Sequence, residues 1–73
     1  MRHYIDSDSD SNINAYDYGE DFIVVEFKDG SKYEYTYDSA GSYMVEQMKG
    51  LADRGDGLNS FISTHKPRYA RKY

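Results

Sequence analysis

The segment at positions 22–37, FIVVEFKDGSKYEYTY, restricts the fold more than any other part of the chain. Two runs of β-branched and aromatic residues flank an Asp-Gly pair, which is the composition of a β-hairpin. A two-residue loop at 29–30 would place charged side chains opposite apolar ones, whereas a three-residue loop at 28–30 pairs Val25 with Tyr33. We therefore predict the three-residue loop, because it gathers one core-facing stripe made of Ile23, Val25, Phe27, Tyr33 and Tyr35.

The remaining segments predict one further strand and two helices. Residues 12–18 alternate apolar and polar side chains, which favours a strand. Apolar residues recur at helical spacing over 39–52, with Asp38 or Ser39 as the cap, and again over 58–64. We expect the inward residues of the two helices to be Tyr43, Met44, Val45, Met48, Leu51, Ala52, Leu58, Phe61 and Ile62. The predicted fold class is α+β, a three-stranded antiparallel β-meander packed on one face by two helices.

A chain of 73 residues without cysteine can bury one hydrophobic core, and neither disulfides nor thiolate metal sites can reinforce that core. We predict a disordered acidic tail at 1–11, a single domain at 12–69 and a basic C-terminal tail at 70–73. The first residues lack the apolar run of a secretory signal, and no segment has the length and composition of a membrane span. We therefore expect a cytoplasmic protein with no membrane partner.

Charge is distributed unevenly along the chain. The net charge of −4 weighs against binding nucleic acid over the whole surface, which requires a basic protein. Residues 1–38 contain ten acidic and three basic side chains, whereas residues 39–73 contain three acidic and six basic ones. Such an asymmetry is typical of a protein that binds a charged partner, but it also occurs where two parts of one fold attract each other or where charges only keep the surface solvated. The composition leaves all three explanations open.

A series of short motifs extends over positions 11–69, and its members are Ser11, Asn12, Ile13, Tyr16, Asp17, Val25, Glu26, Phe27, Gly30, Tyr33, Tyr35, Gly55, Asn59, Ile62, Arg68 and Tyr69. These motifs resemble those of the KTSC domain, a small module named for its occurrence at the C-terminus of some lysyl-tRNA synthetases and also found as a stand-alone protein. The centre of the resemblance is the Tyr-x-Tyr motif at 33–35.

The resemblance implies a fold more than an activity, because the activity of the KTSC family is not established and its link to RNA is a suggestion prompted by the synthetase attachment. It makes residues 12–69 a KTSC-like domain whose motif residues are Tyr33, Tyr35, Gly55 and Asn59. The chain departs from the family pattern at two places, since Asp53 replaces a serine and Asp38-Ser39 replaces a proline.

No motif in the sequence indicates catalysis. A nucleophile needs a base held against it, and the histidines of the chain are His3, in the predicted tail, and His65, at a predicted helix end. The acidic residues over 6–17 have the spacing of a calcium loop, but Ser11 replaces the glycine that such a loop requires. The Arg-Gly-Asp tripeptide at 54–56 predicts a turn. We expect a non-enzymatic protein without a cofactor, a metal or a small-molecule substrate.

Two surfaces remain as candidate binding sites. An acidic face would bind a protein partner, by complementing a basic surface or by imitating a nucleic-acid backbone as a small phage-type accessory protein; its residues are Asp17, Glu20, Asp21, Glu26 and Glu34. A basic, aromatic C-terminal segment would instead bind RNA or single-stranded nucleic acid, since cations pair with phosphates while rings stack on unpaired bases; it comprises Lys66, Arg68, Tyr69, Arg71, Lys72 and Tyr73. The protein partner is our first hypothesis, and RNA is the alternative.

Overall fold

A computed structural model of the chain, which describes residues 1–4 and 12–73, contains the predicted hairpin. Its strands are β3 (Phe22–Phe27) and β4 (Lys32–Thr36). Val25 lies opposite Tyr33, and the N–H of Phe27 donates to the carbonyl of Ser31 at 2.8 Å across a loop closed by Gly30. Gly30 has a φ of 92°, the left-handed region that this turn requires and that glycine adopts at little cost. The predicted three-residue loop and its register are confirmed.

The sheet has five antiparallel strands rather than the three we predicted. Strand β2 (Ile13–Tyr18) pairs with β3 as expected, and two short strands, β1 (Arg2–His3) and β5 (Arg71–Lys72), pair with β2 and β4 at the two edges. The order across the sheet is β1-β2-β3-β4-β5. The additional strands form because the unpaired N–H and C=O groups of an edge strand are a template for pairing with a further strand. The two chain ends, which we predicted to be tails, pair with these edges. Residues 5–11 of the predicted acidic tail lie outside the described residues.

Three helices follow β4, namely α1 (Tyr37–Ala40), α2 (Ser42–Arg54) and α3 (Leu58–His65). The single helix predicted over 39–52 is divided at Gly41, whose φ of 91° and ψ of 145° are not helical. Thr36 caps α1, because its hydroxyl accepts from the N–H of Ser39 while the Ser39 hydroxyl accepts from the N–H of Thr36. The cap therefore lies earlier than the predicted Asp38 or Ser39, and Ser39 forms the second half of the capping box.

The core lies between the sheet and the helices. Its fully buried side chains come from β3, α2 and α3, and they are Ile23, Val25, Val45, Met48 and Leu58. Tyr43 was predicted to point inward but is 74% exposed. Because Tyr43 precedes the buried Met48 by five residues, it lies about 140° around the helix from it. None of the helices in the described part of the chain is long and apolar enough to cross a membrane.

Candidate binding groove beside the hairpin

A groove with a volume of about 610 Å³ lies between the hairpin and a second part of the chain, which comprises α3 and the segment that follows it. Its apolar walls come from both of these parts, and they consist of Phe27, Tyr33, Tyr35, Ile62, Pro67 and Tyr69. Lys28, Asp29 and Lys66 add charge to its lining. We call this site the hairpin groove. Its volume falls within the range of about 300–1,000 Å³ that is usual for ligand pockets.

Tyr33 lies at the centre of an aromatic cluster in the hairpin groove. Its ring contacts Phe27 and Tyr69 edge to face, with centroids 5.4 and 4.9 Å away, and stacks on Tyr35 at 6.5 Å. Tyr35 is 3% exposed, and burial raises the pKa of its hydroxyl to about 12. Tyr69, by contrast, is 50% exposed. The cluster therefore has a buried base that belongs to the core and an exposed ring that is available for stacking.

Three lysines give the hairpin groove a positive rim. Lys28 and Lys66 line it, and the Nζ atom of Lys72 lies 5.3 Å from the centre of the Tyr33 ring. Tyr33 beside it raises the pKa of Lys72, so the ammonium group stays charged at neutral pH. All three lysines are exposed. Lys28 was not among the predicted basic residues because it belongs to the hairpin loop, far from the C-terminal segment in sequence.

The structure divides the predicted basic segment between two places. Lys66 and Tyr69 line the groove, and Lys72 lies beside it, next to the ring of Tyr33. Arg71 lies on the opposite face of the sheet, since neighbouring residues of a strand point to opposite faces, and its Nε donates to Glu34 at 2.8 Å. The Arg71 guanidinium also lies 5.9 Å from the ring centre of Tyr73. Arg68 is exposed, and its backbone carbonyl accepts from the Ser39 hydroxyl at 2.8 Å.

The predicted acidic residues do not form one uniform surface. Glu26 lies 3.7 Å from the Nζ of Lys32, and Glu34 is paired with Arg71, so two of the five carboxylates already have basic partners. The other three, which lie at or beside the turn between β2 and β3, are exposed and form no ion pair within residues 1–4 and 12–73. We call them the acidic turn, which consists of Asp17, Glu20 and Asp21.

A second tyrosine pair, Tyr16 and Tyr18, joins β2 to the end of α2. The two hydroxyls donate to the carboxylate of Asp53 at 2.9 and 2.8 Å. The Arg2 guanidinium lies 6.0 and 5.1 Å from the two ring centres and contacts Asp53 at 3.4 Å. The hydrogen bond from Tyr18, followed by that from Tyr16, lowers the pKa of Asp53. The sequence analysis did not predict this cluster, although Tyr16 and Tyr18 have the same spacing as Tyr33 and Tyr35.

Gly55 and Asn59, the remaining residues of the predicted KTSC-like motif, lie at helix ends. Gly55 terminates α2 with a φ of 67° and a ψ of 36°, and its N–H donates to the carbonyls of Leu51 and Ala52. This left-handed conformation favours glycine and places the Arg-Gly-Asp tripeptide at the end of a helix, where a turn was predicted. Asn59 is half-buried in the first turn of α3 and does not line the hairpin groove.

The two histidines of the chain lie on different elements of the fold. His3 lies in β1 opposite Ala15, whereas His65 lies at the end of α3 and stacks on Phe61 with ring centres 4.3 Å apart. Within residues 1–4 and 12–73, no group of three or more histidine, aspartate or glutamate side chains is placed to hold a metal ion. Positions 6–11, which carry most of the calcium-loop spacing, lie outside the described residues.

Comparisons of the sequence with protein-family models, with curated proteins and with solved structures find no match. The resemblance to the KTSC domain therefore stays a prediction drawn from the motifs. Function is inferred from the geometry of the hairpin groove and of the acidic turn.

Proposed function

We propose that the protein is a non-enzymatic binding module that holds a short single-stranded segment of nucleic acid, RNA in particular, in the hairpin groove. The observation that supports this proposal is the meeting of one half-exposed aromatic ring, Tyr69, with three lysines around a single concave site. Unpaired bases stack on aromatic side chains, while lysines bind the phosphates that connect them. RNA is the favoured form because its loops and ends present such unpaired bases.

The number of cations limits the length of nucleic acid that the site can hold. Lys28, Lys66 and Lys72 can contact about three phosphates, and the protein as a whole has a net charge of −4. A long duplex would bring many phosphates close to the acidic surfaces of the molecule, and like charges repel. The proposed ligand is therefore a segment of a few nucleotides rather than a double helix.

A second candidate function uses the acidic turn. Its three carboxylates are exposed and form no ion pair in the described part of the chain, and they suit a basic surface on a protein partner. A pull-down from the native host, with and without nuclease, distinguishes the two candidates. Capture of a protein that survives nuclease treatment and is lost on Glu20→Gln with Asp21→Asn would favour the acidic turn.

The first test measures binding of fluorescein-labelled single-stranded RNA hexamers by fluorescence anisotropy at several salt concentrations. We expect the logarithm of the binding constant to fall with the logarithm of salt with a slope of about −2, which corresponds to about three phosphate contacts on a single strand. Tyr69→Ala should weaken binding about fivefold or more, because stacking contributes about 1–3 kcal/mol per base. Lys66→Gln should make this slope shallower by about 0.7, because one phosphate contact is lost.

Lys32→Gln is the matched control for Lys66→Gln, since it removes the same charge from a lysine that faces Glu26 on the other side of the sheet. Substitutions are preferable to truncation after Lys66, because Pro67 is buried and β5 belongs to the sheet. Two results would overturn the proposal. One is the absence of binding to any hexamer at low salt, and the other is binding that Lys32→Gln weakens as much as Lys66→Gln and Tyr69→Ala do.

A further inference from the structure

Asp29 is the one acidic side chain among the described residues that line the hairpin groove. It lies in the loop between β3 and β4, where its Oδ1 accepts from the hydroxyl of Ser31 at 2.7 Å and from the N–H of Ser31 at 2.9 Å. These bonds, the one from the hydroxyl first, lower the pKa of Asp29, so the carboxylate is charged at neutral pH. Because both bonds go to Oδ1, Oδ2 remains able to accept a hydrogen bond from a ligand.

A fixed carboxylate in a site for nucleic acid has a restricted choice of partners. An ionised aspartate accepts hydrogen bonds and donates none, and it repels phosphate. Beside Lys28 and Lys66, which attract the phosphates, the aspartate is therefore suited to the N–H groups on the edge of a base. Carboxylates pair with amino groups of bases in this way in other nucleic-acid complexes.

Guanine and uracil differ in what they would present to such a carboxylate. Guanine carries N1–H and the N2 amino group side by side, whereas uracil carries one N–H between two carbonyl oxygens. Carbonyl oxygens next to Oδ2 would leave two acceptors facing each other without a proton between them, which is unfavourable. Resting on the proposed function of the groove, we infer that Asp29 selects a base with adjacent N–H donors, so that guanine is preferred over uracil.

The test compares RNA hexamers of uridine that differ at one central position, which is guanosine, inosine or uridine. Inosine keeps N1–H but lacks the N2 amino group, so it isolates the contribution of that group. We expect the guanosine hexamer to bind about tenfold more tightly than the uridine hexamer, in line with the discrimination of a good side-chain pair, and the inosine hexamer to lie between them. The variant is Asp29→Asn, which keeps an oxygen for the two bonds from Ser31.

With Asp29→Asn, the ratio of guanosine to uridine affinity should fall at least threefold, while binding of the uridine hexamer stays equal or becomes tighter because a negative charge is lost near the phosphates. Lys32→Gln should leave that ratio unchanged. A ratio of guanosine to uridine affinity near one in the wild type would overturn the inference, and so would a ratio that Asp29→Asn does not alter. In either case, the proposed function still stands if binding of the hexamers depends on Lys66 and Tyr69. Failure of all hexamers to bind would overturn the proposed function, and the base preference with it.

Discussion

Two tyrosine pairs flank the central strand β3, one on β2 and one on β4, and the comparison between them separates a structural use of tyrosine from the binding use that we propose. The rings of Tyr16 and Tyr18 lie 6.2 Å apart with an interplanar angle of 20°, and those of Tyr33 and Tyr35 lie 6.5 Å apart at 16°. In both motifs an acidic residue between the tyrosines points away from the core. A short terminal strand places a cation beside each pair.

The difference lies in what the helices supply. The end of α2 brings Asp53 to the first pair, so that both hydroxyls have an acceptor and the rings are held between a helix and an edge strand. Among the residues that the structure describes, no carboxylate of a helix lines the hairpin groove beside the second pair, where Lys66 and Tyr69 leave a concave space. The same local motif therefore closes a contact along one edge of β3 and borders a groove along its other edge, on the same face of the sheet, because one aspartate lies within reach of the first pair.

The largest expected effect tests the sheet on which both pairs rest. Val25→Asp and Tyr35→Asp should each unfold the domain, because an unpaired charge at these buried positions costs at least the roughly 5 kcal/mol that lies at the low end of the stability of folded domains. Lys32→Asp, which lies on the other face, should leave the protein folded. Far-ultraviolet circular dichroism and urea unfolding of the three variants measure this, and equal tolerance at all three positions would show that the core face is assigned wrongly.

A smaller effect sharpens the comparison between the two pairs. Asp53→Ala should lower the free energy of unfolding by about 1–2 kcal/mol, since two hydroxyls lose a charged acceptor at a partly exposed site. Tyr33→Phe should change stability much less, because the cation beside that ring is an exposed lysine. Urea denaturation of both variants, with Tyr18→Phe added to Asp53→Ala in a double-mutant cycle, gives the coupling energy. Equal losses for Asp53→Ala and Tyr33→Phe would contradict the distinction.

The smallest expected effect concerns the stability of the protein at low pH. The pKa of Asp53 is lowered in the folded protein, chiefly by hydrogen bonds from the two tyrosines, so its carboxylate stabilises the fold above its unfolded pKa, near 3.8, and this contribution is lost as the pH falls through the folded value. The stability of the wild type should therefore decrease more between about pH 5 and pH 2 than that of Asp53→Asn. Asp29 and Glu46, whose pKa values are also lowered, are present in both proteins and cancel in the difference. Parallel curves would show that the Asp53 contact contributes little.

The hairpin was the part of the fold that the sequence predicted best. The alternation of apolar residues and the Asp-Gly pair specify which side chains share a face and how long the loop is, since both depend on neighbours within a few residues. The extra strands were not predictable in this way. Pairing of β1 and β5 depends on which edges of the sheet are open, and an edge exists only once the sheet has formed.

For the candidate site, too, the sequence predicted the local chemistry but not the tertiary arrangement. Tyrosines, lysines and carboxylates with a capacity to bind were identified from the sequence, because their chemistry belongs to the side chains themselves. Their grouping was not, since Lys28 and Asp29 of the hairpin loop meet Lys66 and Tyr69 only through the packing of α3 and the segment after it against the sheet. The split of the acidic face has the same origin, because Arg71 reaches Glu34 only when β5 joins β4.

By itself, the sequence determined the register of the hairpin, the presence of helices after it and the excess of tyrosine and charge. The tertiary structure alone decided which tyrosine pair became part of a closed contact and which one borders a groove. The physical reason is that hydrogen bonds and stacking act over a few ångströms, so the role of each ring depends on the side chain that the fold places next to it.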